Sequence, residues 1–211
     1  MPRWHRKSQE RCEQYMSIQT WPGTWPIKLG ELEINLPLVR GGDGFGIYAF
    51  DPMGRGAWNI AAAKALAERL APFRFDILLA AESKSIALAE QLARMLGHDD
   101  YVVLRKARKL YMTDPMVMDV KSITTAARQQ FFLGRDQQEL LRGRRVCVLD
   151  DVISTGGTLR AVCNMAKALE ANVAVIACVL TEETPRDFFD GIPVVALDHI
   201  PLPGFILQPV A

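Results

Sequence analysis

The 211-residue sequence lacks the features that define several large classes of protein. Its 25 Lys and Arg residues are balanced by 24 Asp and Glu residues, so it has no excess charge with which to bind nucleic acid or an anionic membrane generally. No uninterrupted apolar run is long enough to span a bilayer, and the charged N-terminus lacks the apolar core of a secretion signal. We therefore expect a cytoplasmic protein with no nucleic-acid or membrane partner, in which any recognition of phosphate is local.

Cysteine is scarce as well. The four cysteines are Cys12, Cys147, Cys163 and Cys178, and no two of them form a C-x-x-C pair. Three of them lie in apolar stretches, where free thiols are commonly buried. This pattern favours reduced cysteines over a zinc site or a disulfide framework.

The hydrophobic pattern of the sequence is clear from residue 58 onward. Apolar residues recur at helical spacing in three segments, residues 58–70, 84–96 and 157–169. Short continuous apolar runs, typical of buried strands, occupy residues 75–80, 101–104, 145–149, 172–180 and 193–197. This alternation predicts an α/β fold, with a mainly parallel sheet and helices on both faces. Ligands of such sheets bind beyond the carboxyl ends of the strands.

Two segments do not follow this alternation. Residues 1–37 are predicted to be an N-terminal arm, which leaves residues 38–211 as a single domain. Residues 110–141 form a long polar connection between two predicted strands. A connection of that length is usually a functional lid, a hairpin or a disordered loop, and the sequence leaves the three open.

The most informative segment, Val-Cys-Val-Leu-Asp-Asp-Val-Ile-Ser-Thr-Gly-Gly-Thr-Leu, spans residues 146–159. It predicts a buried strand that ends in two carboxylates, a turn of small residues, and then a helix. Such a turn can direct several backbone N–H groups into one concavity, where the helix N-terminus adds partial positive charge. Glycines allow close approach of the backbone, and hydroxyl side chains add donors. A phosphate monoester is the ligand that this pattern fits.

The two carboxylates, Asp150 and Asp151, distinguish this segment from other phosphate loops. A Walker loop requires a lysine after its glycines, and none follows Gly156 and Gly157. Adjacent acids would repel a nucleotide triphosphate, whereas they suit ribose hydroxyls and a magnesium-bound sugar. The structural alternative is a simple capping turn in which both acids are ordinary loop residues.

Residues 149–158, Leu-Asp-Asp-Val-Ile-Ser-Thr-Gly-Gly-Thr, resemble the motif by which type I phosphoribosyltransferases bind 5-phosphoribosyl-1-pyrophosphate (PRPP). The resemblance implies the family fold, in which a small hood and a flexible loop accompany the main sheet. It implies that Asp150 and Asp151 hold the ribose hydroxyls, act in catalysis and bind Mg²⁺. The residues implied to bind the 5-phosphate are Ser154, Thr155, Gly156, Gly157 and Thr158.

Two further segments resemble adenine phosphoribosyltransferases, although each alone could be a capped helix start or a solvated basic turn. Residues 81–85, Ala-Glu-Ser-Lys-Ser, resemble the pyrophosphate loop, with lysine and serine in place of its arginine and glycine. Residues 105–109, Arg-Lys-Ala-Arg-Lys, resemble the Arg-Lys-x-x-Lys cluster before the flexible loop. The residues implied to bind PRPP here are Ser83, Lys84, Arg105, Lys106 and Lys109, with Lys84 and Lys106 also catalytic.

The acceptor base is implied by a weaker match. Residues 46–51 line up with the adenine-type hood segment, which we expect near residues 38–56, and Ile47 and Tyr48 become candidate walls of a purine pocket. The loop glutamate of adenine phosphoribosyltransferases is missing from residues 119–127, and neither Asp119 nor Asp114 aligns with it cleanly. The expected enzyme is a glycosyltransferase that uses PRPP and Mg²⁺ and favours adenine.

Other functions remain open at this point. A phosphoribosyltransferase for hypoxanthine, guanine or xanthine would share these motifs, and so would a non-catalytic regulator that binds PRPP. An orotate enzyme would require His-Gly after the lysine cluster, where the sequence has Leu-Tyr-Met. We expect an enzyme that forms a homodimer, with residues 110–141 closing over bound PRPP and base.

Overall fold

The structure is a computed structural model, and it describes residues 22–40, 44–120 and 129–205. Its helices are α1 (Gly56–Leu70), α2 (Ser85–Leu96), α3 (Arg135–Leu141) and α4 (Gly157–Ala168). Its strands are β1 (Thr24–Leu29), β2 (Leu32–Arg40), β3 (Phe45–Tyr48), β4 (Ile77–Ala81), β5 (Val102–Leu104), β6 (Met116–Val120), β7 (Gln129–Leu133), β8 (Arg145–Ile153), β9 (Asn172–Glu182), β10 (Phe188–Phe189), β11 (Ile192–Ile200) and β12 (Gly204–Phe205).

A six-stranded sheet in the order β10-β11-β9-β8-β4-β5 forms the centre of the fold. All neighbouring strands in it are parallel except β10, which pairs antiparallel with β11. One face packs against α1 and α2, and the other packs against α4 and the β6–β7 hairpin. Because both faces are covered, β4 is buried along its whole length. The predicted α/β fold with a mainly parallel sheet is therefore confirmed.

Alternate residues of β4 supply the two halves of the core. Leu78 and Ala80 belong to the cluster that includes α1 and α2, whereas Ile77 and Leu79 belong to the cluster that includes α4. Leu78 and Leu79 have no exposed surface. Burial of a leucine side chain contributes about 1.5–3 kcal/mol to folding, so this short strand anchors both helical layers.

The strand that carries the acidic pair is longer than predicted. We expected it to end at residue 149, but β8 continues through Ile153. The extension forms because β9 offers a continuing parallel partner, with Asp150 opposite Cys178 and Ile153 opposite Thr181. Both carboxylates thus project from a paired strand rather than from a loop.

A second sheet, in the order β1-β2-β3-β12, lies beside the central one. Ile27 and Leu29 of β1 are buried in the core, and the backbone N–H of Lys28 donates to Asp198 Oδ2 of β11 at 2.8 Å. The boundary predicted between residues 37 and 38 falls inside β2. Residues 1–21 of the predicted arm, and with them Cys12, lie outside the described residues, so the division of the chain remains a prediction.

The long connection at residues 110–141 contains a hairpin followed by a helix. Strands β6 and β7 pair antiparallel, from Met116 opposite Leu133 to Val120 opposite Gln129. Phe131 and Leu133 are fully buried, so β7 is part of the core. Residues 121–128 lie outside the described residues, and the expected closure over ligands stays a prediction. No described helix is both long and apolar enough to cross a membrane.

Candidate functional site

The acidic pair lies where β8 approaches its carboxyl end. Asp150 Oδ1 accepts hydrogen bonds from Ser85 Oγ at 3.1 Å and from the backbone N–H of Asp151 at 2.9 Å. The side chain of Asp151 is 17% exposed, and its Oδ2 lies 3.8 Å from Lys84 Nζ. Burial, together with the negative charge of Asp151, raises the pKa of Asp150 to about 7. The pair is therefore short of positive charge and hydrogen-bond donors, which a ligand could supply.

The turn that follows β8 offers backbone donors without acceptors. Within residues 22–40, 44–120 and 129–205, no backbone N–H from residues 154–158 donates a hydrogen bond. Gly156 is buried and caps α4 with φ +81°, a left-handed conformation that glycine adopts without strain. Buried backbone N–H groups are almost always paired in proteins. Five adjacent free donors at a helix N-terminus form a binding site suited to an anion.

The loop between β4 and α2 reaches the same edge of the sheet. Lys84 Nζ donates to the carbonyl of Phe50 at 2.9 Å and lies beside Asp151, so it connects the segment before α1 to the acidic pair. Ser83 is exposed, and the peptide bond that precedes it, from Glu82, is cis. The structure thus brings Lys84 next to Asp151, and Ser83 precedes it in the same loop. The PRPP-binding roles of both residues remain predictions.

Glu82 is a residue of this site that the sequence reasoning assigned no role. Its Oε2 accepts the backbone N–H of Lys106 at 2.7 Å, and its Oε1 lies 3.3 Å from Arg105 Nε. It thereby joins the β4–α2 loop to the basic cluster that follows β5. The sequence signal was available, because Glu82 lies within residues 81–85, the segment that resembles the pyrophosphate loop.

The basic cluster is anchored at its first residue. The backbones of Arg105 and Phe132 exchange two hydrogen bonds, of 3.0 and 2.8 Å, which join the end of β5 to β7. Lys106 is exposed, while Lys109 is partly buried and its backbone N–H donates to Met112 Sδ at 3.5 Å. The cluster therefore begins at the ligand edge of the sheet, with Lys106 directed by Glu82.

The two candidate base-binding residues, Ile47 and Tyr48, are neighbours on β3. Tyr48 is 2% exposed, its hydroxyl donates to the carbonyl of Pro22 at 2.9 Å, and its ring centroid lies 5.6 Å from that of Trp25. Ile47 is 42% exposed on the opposite side of β3. Alternation along a strand explains why only one of two neighbours can face the core. The structure places Tyr48 in the hydrophobic core, and the base-binding role of both residues remains a prediction.

The two aspartates considered as substitutes for the loop glutamate have partners of their own. Asp119 Oδ1 accepts from Gln130 Nε2 across the β6–β7 hairpin at 3.0 Å. Asp114 Oδ2 lies 3.7 Å from Arg135 Nη1 and is 84% exposed. Most of the stretch that lacks the glutamate, residues 121–127, lies outside the described residues.

No cluster of three or more His, Cys, Asp or Glu side chains suited to a metal exists in the part of the chain that the structure describes. Asp150 and Asp151 supply two adjacent carboxylates at this edge, while the Glu82 carboxylate is already bound by Arg105 and Lys106. Such oxygens suit Mg²⁺, which usually keeps several waters and binds one or two carboxylates together with substrate phosphates. The donor set therefore fits a magnesium ion that arrives with a phosphorylated ligand.

Comparisons with known proteins agree with this geometry. A family model described as the phosphoribosyl transferase domain matches residues 57–206. Adenine phosphoribosyltransferase of Rhodospirillum rubrum is 32% identical over 129 residues, a match that covers 59% of this chain and 68% of the relative. The crystal structure of adenine phosphoribosyltransferase from Saccharomyces cerevisiae, complexed with an imino-altritol bisphosphate and adenine, has a TM-score of 0.60 at 26% identity, covering 77% of this chain and 93% of that one.

A third similar protein supports the fold alone. Adenine phosphoribosyltransferase from Thermoanaerobacter pseudethanolicus superposes with a TM-score of 0.64 at 20% identity, covering 78% of this chain and 95% of that one.

Proposed function

The chain belongs to the phosphoribosyl transferase domain family, and from this we propose that it transfers the 5-phosphoribosyl group of PRPP to a purine base, with adenine favoured. The products are a nucleoside monophosphate and pyrophosphate. The observation that carries the proposal is the acidic pair, Asp150 and Asp151, directly ahead of a turn whose five backbone N–H groups have no acceptor in the part of the chain that the structure describes.

The turn is the proposed site of the 5-phosphate. The free N–H groups of residues 154–158 can each donate to a phosphate oxygen, and the hydroxyls of Ser154, Thr155 and Thr158 add further donors. The N-terminus of α4 contributes partial positive charge at the same point. A phosphate could bind these N–H groups without displacing a protein acceptor, because no described residue accepts a hydrogen bond from them.

The acidic pair is the proposed site of the ribose. Carboxylates are acceptors only, and the sugar hydroxyls are donors that can pair with both side chains. The raised pKa of Asp150 reflects burial beside Asp151, a cost that two hydroxyl donors would offset. Asp150 and Asp151 would also hold Mg²⁺, which supplies positive charge to the phosphates when bound.

The departing pyrophosphate is the proposed partner of the cationic groups. Lys84 lies beside Asp151, and the Glu82 carboxylate fixes Arg105 and the backbone of Lys106 on the adjoining loop. Negative charge grows on the leaving group as the anomeric C–O bond breaks, so cations fixed at this edge stabilise the transition state. Ser83 and Lys109 complete the proposed pyrophosphate contacts.

The reaction requires no protein nucleophile. Breaking the anomeric bond creates an oxocarbenium-like sugar, as at other glycosyl centres. The Asp150–Asp151 pair places negative charge next to the ring on which positive charge develops. The purine nitrogen then attacks the anomeric carbon, and the closure expected of residues 110–141 would keep water from that carbon.

Adenine is favoured because the relatives named above are adenine phosphoribosyltransferases and because residues 46–51 match the adenine-type hood. We further propose that the enzyme acts in the cytoplasm, since Cys147, Cys163 and Cys178 are free thiols. A homodimer is proposed from the family resemblance.

A panel of bases tests the acceptor directly. Purified protein with PRPP and Mg²⁺ is offered adenine, guanine, hypoxanthine, xanthine, uracil and orotate, and pyrophosphate release is measured for each. We expect the fastest release with adenine and none from the Asp150→Asn, Asp151→Asn double variant. Release with uracil or orotate alone would refute the purine assignment. Tight PRPP binding without release from any base would instead indicate a PRPP-binding regulator.

A further inference from the structure

A short hairpin outside the family motif contacts the phosphate turn. Strands β10 and β11 pair antiparallel, with Phe189 opposite Ile192, and residues Asp190 and Gly191 connect them. Asp190 has φ 49° and Gly191 has φ 83°. Asp-Gly with two positive φ values is typical of the tight turn that joins twisted strands. This turn fixes which way the two phenylalanines of β10 face: Phe189 is 7% exposed and Phe188 is 66% exposed.

The ring of Phe189 lies against the backbone of Gly156. A Cβ atom built on Gly156 would be only 2.3 Å from Phe189 Cε2 and 3.0 Å from Cζ. Two independent features therefore require glycine at this position: its left-handed φ of +81° and the aromatic ring packed upon it. The contact joins residues 33 positions apart and covers the point where the phosphate turn enters α4.

Two charged side chains hold Phe189 in this position. The guanidinium of Arg160, in the first turn of α4, lies 5.0 Å from the centre of the Phe189 ring. The same guanidinium forms an ion pair with Asp190 in the hairpin turn. Phe189, Arg160 and Asp190 therefore connect the hairpin to the helix that begins at the phosphate turn. We call these three residues the hairpin clamp.

We propose that the hairpin clamp holds the phosphate turn in its binding conformation, with Phe189 as the main positioning residue; this rests on the proposed function of the turn. A turn that contains Gly156 and Gly157 can adopt many backbone conformations when free. If the turn became ordered only on binding, the loss of conformational entropy would lower its affinity for the 5-phosphate. Contact with Phe189 orders the turn beforehand, while the clamp residues themselves lie beside the turn and outside the proposed ligand contacts.

The decisive test uses two ligands that bind different halves of the site. Ribose 5-phosphate requires the phosphate turn, whereas pyrophosphate requires the loops at Lys84 and Lys106. We expect Phe189→Leu to weaken the binding of ribose 5-phosphate about tenfold in calorimetry, while the affinity for pyrophosphate changes less than about twofold. The KM for PRPP should rise about tenfold with kcat nearly unchanged, as for the loss of uniform binding. Phe188→Leu, on the exposed side of the same strand, is the matched control and should leave all four quantities unchanged.

A second variant keeps the proposal testable if Phe189→Leu does not fold. Asp190→Asn removes the ion pair between the half-exposed Asp190 side chain and Arg160. It should weaken the binding of ribose 5-phosphate about threefold and leave the affinity for pyrophosphate unchanged. Equal weakening of both ligands, or no weakening in either variant, would overturn the clamp. Failure of the unaltered protein to bind ribose 5-phosphate and PRPP would overturn the proposed function itself, so the two results are distinguishable.

Discussion

Two aspartates lie near opposite ends of β8, and their carboxyl groups have opposite pKa shifts: Asp76 directly precedes β4 and bonds Arg145 at the start of β8, whereas Asp150 lies toward the end of β8. At the amino end, Asp76 accepts the backbone N–H of Arg145 at 2.9 Å and pairs with its guanidinium at 2.6 Å, and these bonds lower the pKa of Asp76 to about 2. At the carboxyl end, Asp150 lies beside Asp151 under partial burial, and its pKa is raised to about 7. The Asp76 carboxylate is paired with a guanidinium, whereas the Asp150 carboxylate accepts hydrogen bonds from a hydroxyl and a backbone N–H and lies beside a second acid.

This difference separates a structural end of the strand from a functional one. A carboxylate whose charge is matched by a neighbouring guanidinium contributes to folding, because folding lowers its pKa. A carboxylate placed next to another acid opposes folding and persists only where a ligand supplies the missing partner. The amino edge of the central sheet therefore holds a paired carboxylate, and the carboxyl edge holds the candidate site, where ligands of parallel sheets generally bind.

The largest expected effect comes from removing the unsatisfied charges. Asp150→Asn combined with Asp151→Asn should weaken PRPP binding at least about 100-fold in the presence of Mg²⁺, because two charge-assisted hydrogen-bonding groups are lost. Titration calorimetry measures this. Asp76→Asn is the matched control at the other end of β8 and should bind PRPP normally. Equal affinity in the double variant and the unaltered protein would remove the ribose assignment.

Two glycines at the opposite ends of β8 sharpen the comparison. Gly143 has φ +68° with nothing within 4 Å of a built Cβ, whereas Gly156 has φ +81° with Phe189 at 2.3 Å. Gly143→Ala should cost only the left-handed strain, about 1 kcal/mol. Gly156→Ala adds a clash with a buried ring and should cost about 3 kcal/mol, with loss of PRPP binding. Denaturant unfolding compares the two, and similar losses would mean that the Phe189 contact is unimportant.

The smallest effect concerns the pH dependence of stability. Because the pKa of Asp150 is raised in the folded protein, protonated Asp150 contributes favourably to the free energy of unfolding. This contribution is complete below about pH 4 and is lost as the pH rises through about 7. Asp150→Asn should therefore raise the free energy of unfolding at pH 8, by about 1 kcal/mol, even though it impairs binding. The contribution of Asp76 to the free energy of unfolding has the opposite pH dependence. It is present above about pH 4 and is lost as the pH falls toward 2.

Thermal unfolding from pH 3 to pH 8 checks both signs. The melting temperature of Asp76→Asn should lie below that of the unaltered protein at pH 8 and converge with it in acid. The melting temperature of Asp150→Asn should lie above it at pH 8. Destabilisation by both substitutions at pH 8 would contradict the view that the carboxyl end of β8 opposes folding.

The sequence alone determined the succession of helices and strands along the chain from residue 58 onward, and the phosphate turn. Continuous apolar runs and helical periodicity are local patterns, and they predicted all three long helices and the strands that alternate with them. The turn after Ile153 and the start of α4 follow from local residues, because small side chains and Gly156 allow the tight turn. Gly97 directly follows the segment predicted to be helical, residues 84–96, and caps α2 with φ +74°, because glycine reaches the left-handed region freely.

Only the tertiary structure decided which groups meet. The extension of β8 to Ile153 depends on pairing with β9, and the burial of Tyr48 depends on Trp25 and Pro22, which no local pattern around either segment reports. The contacts of Glu82 with the basic cluster and of Phe189 with Gly156 join segments more than twenty residues apart. Local preference specifies each element by itself, whereas side-chain partners follow from how the elements pack, and packing depends on the whole chain.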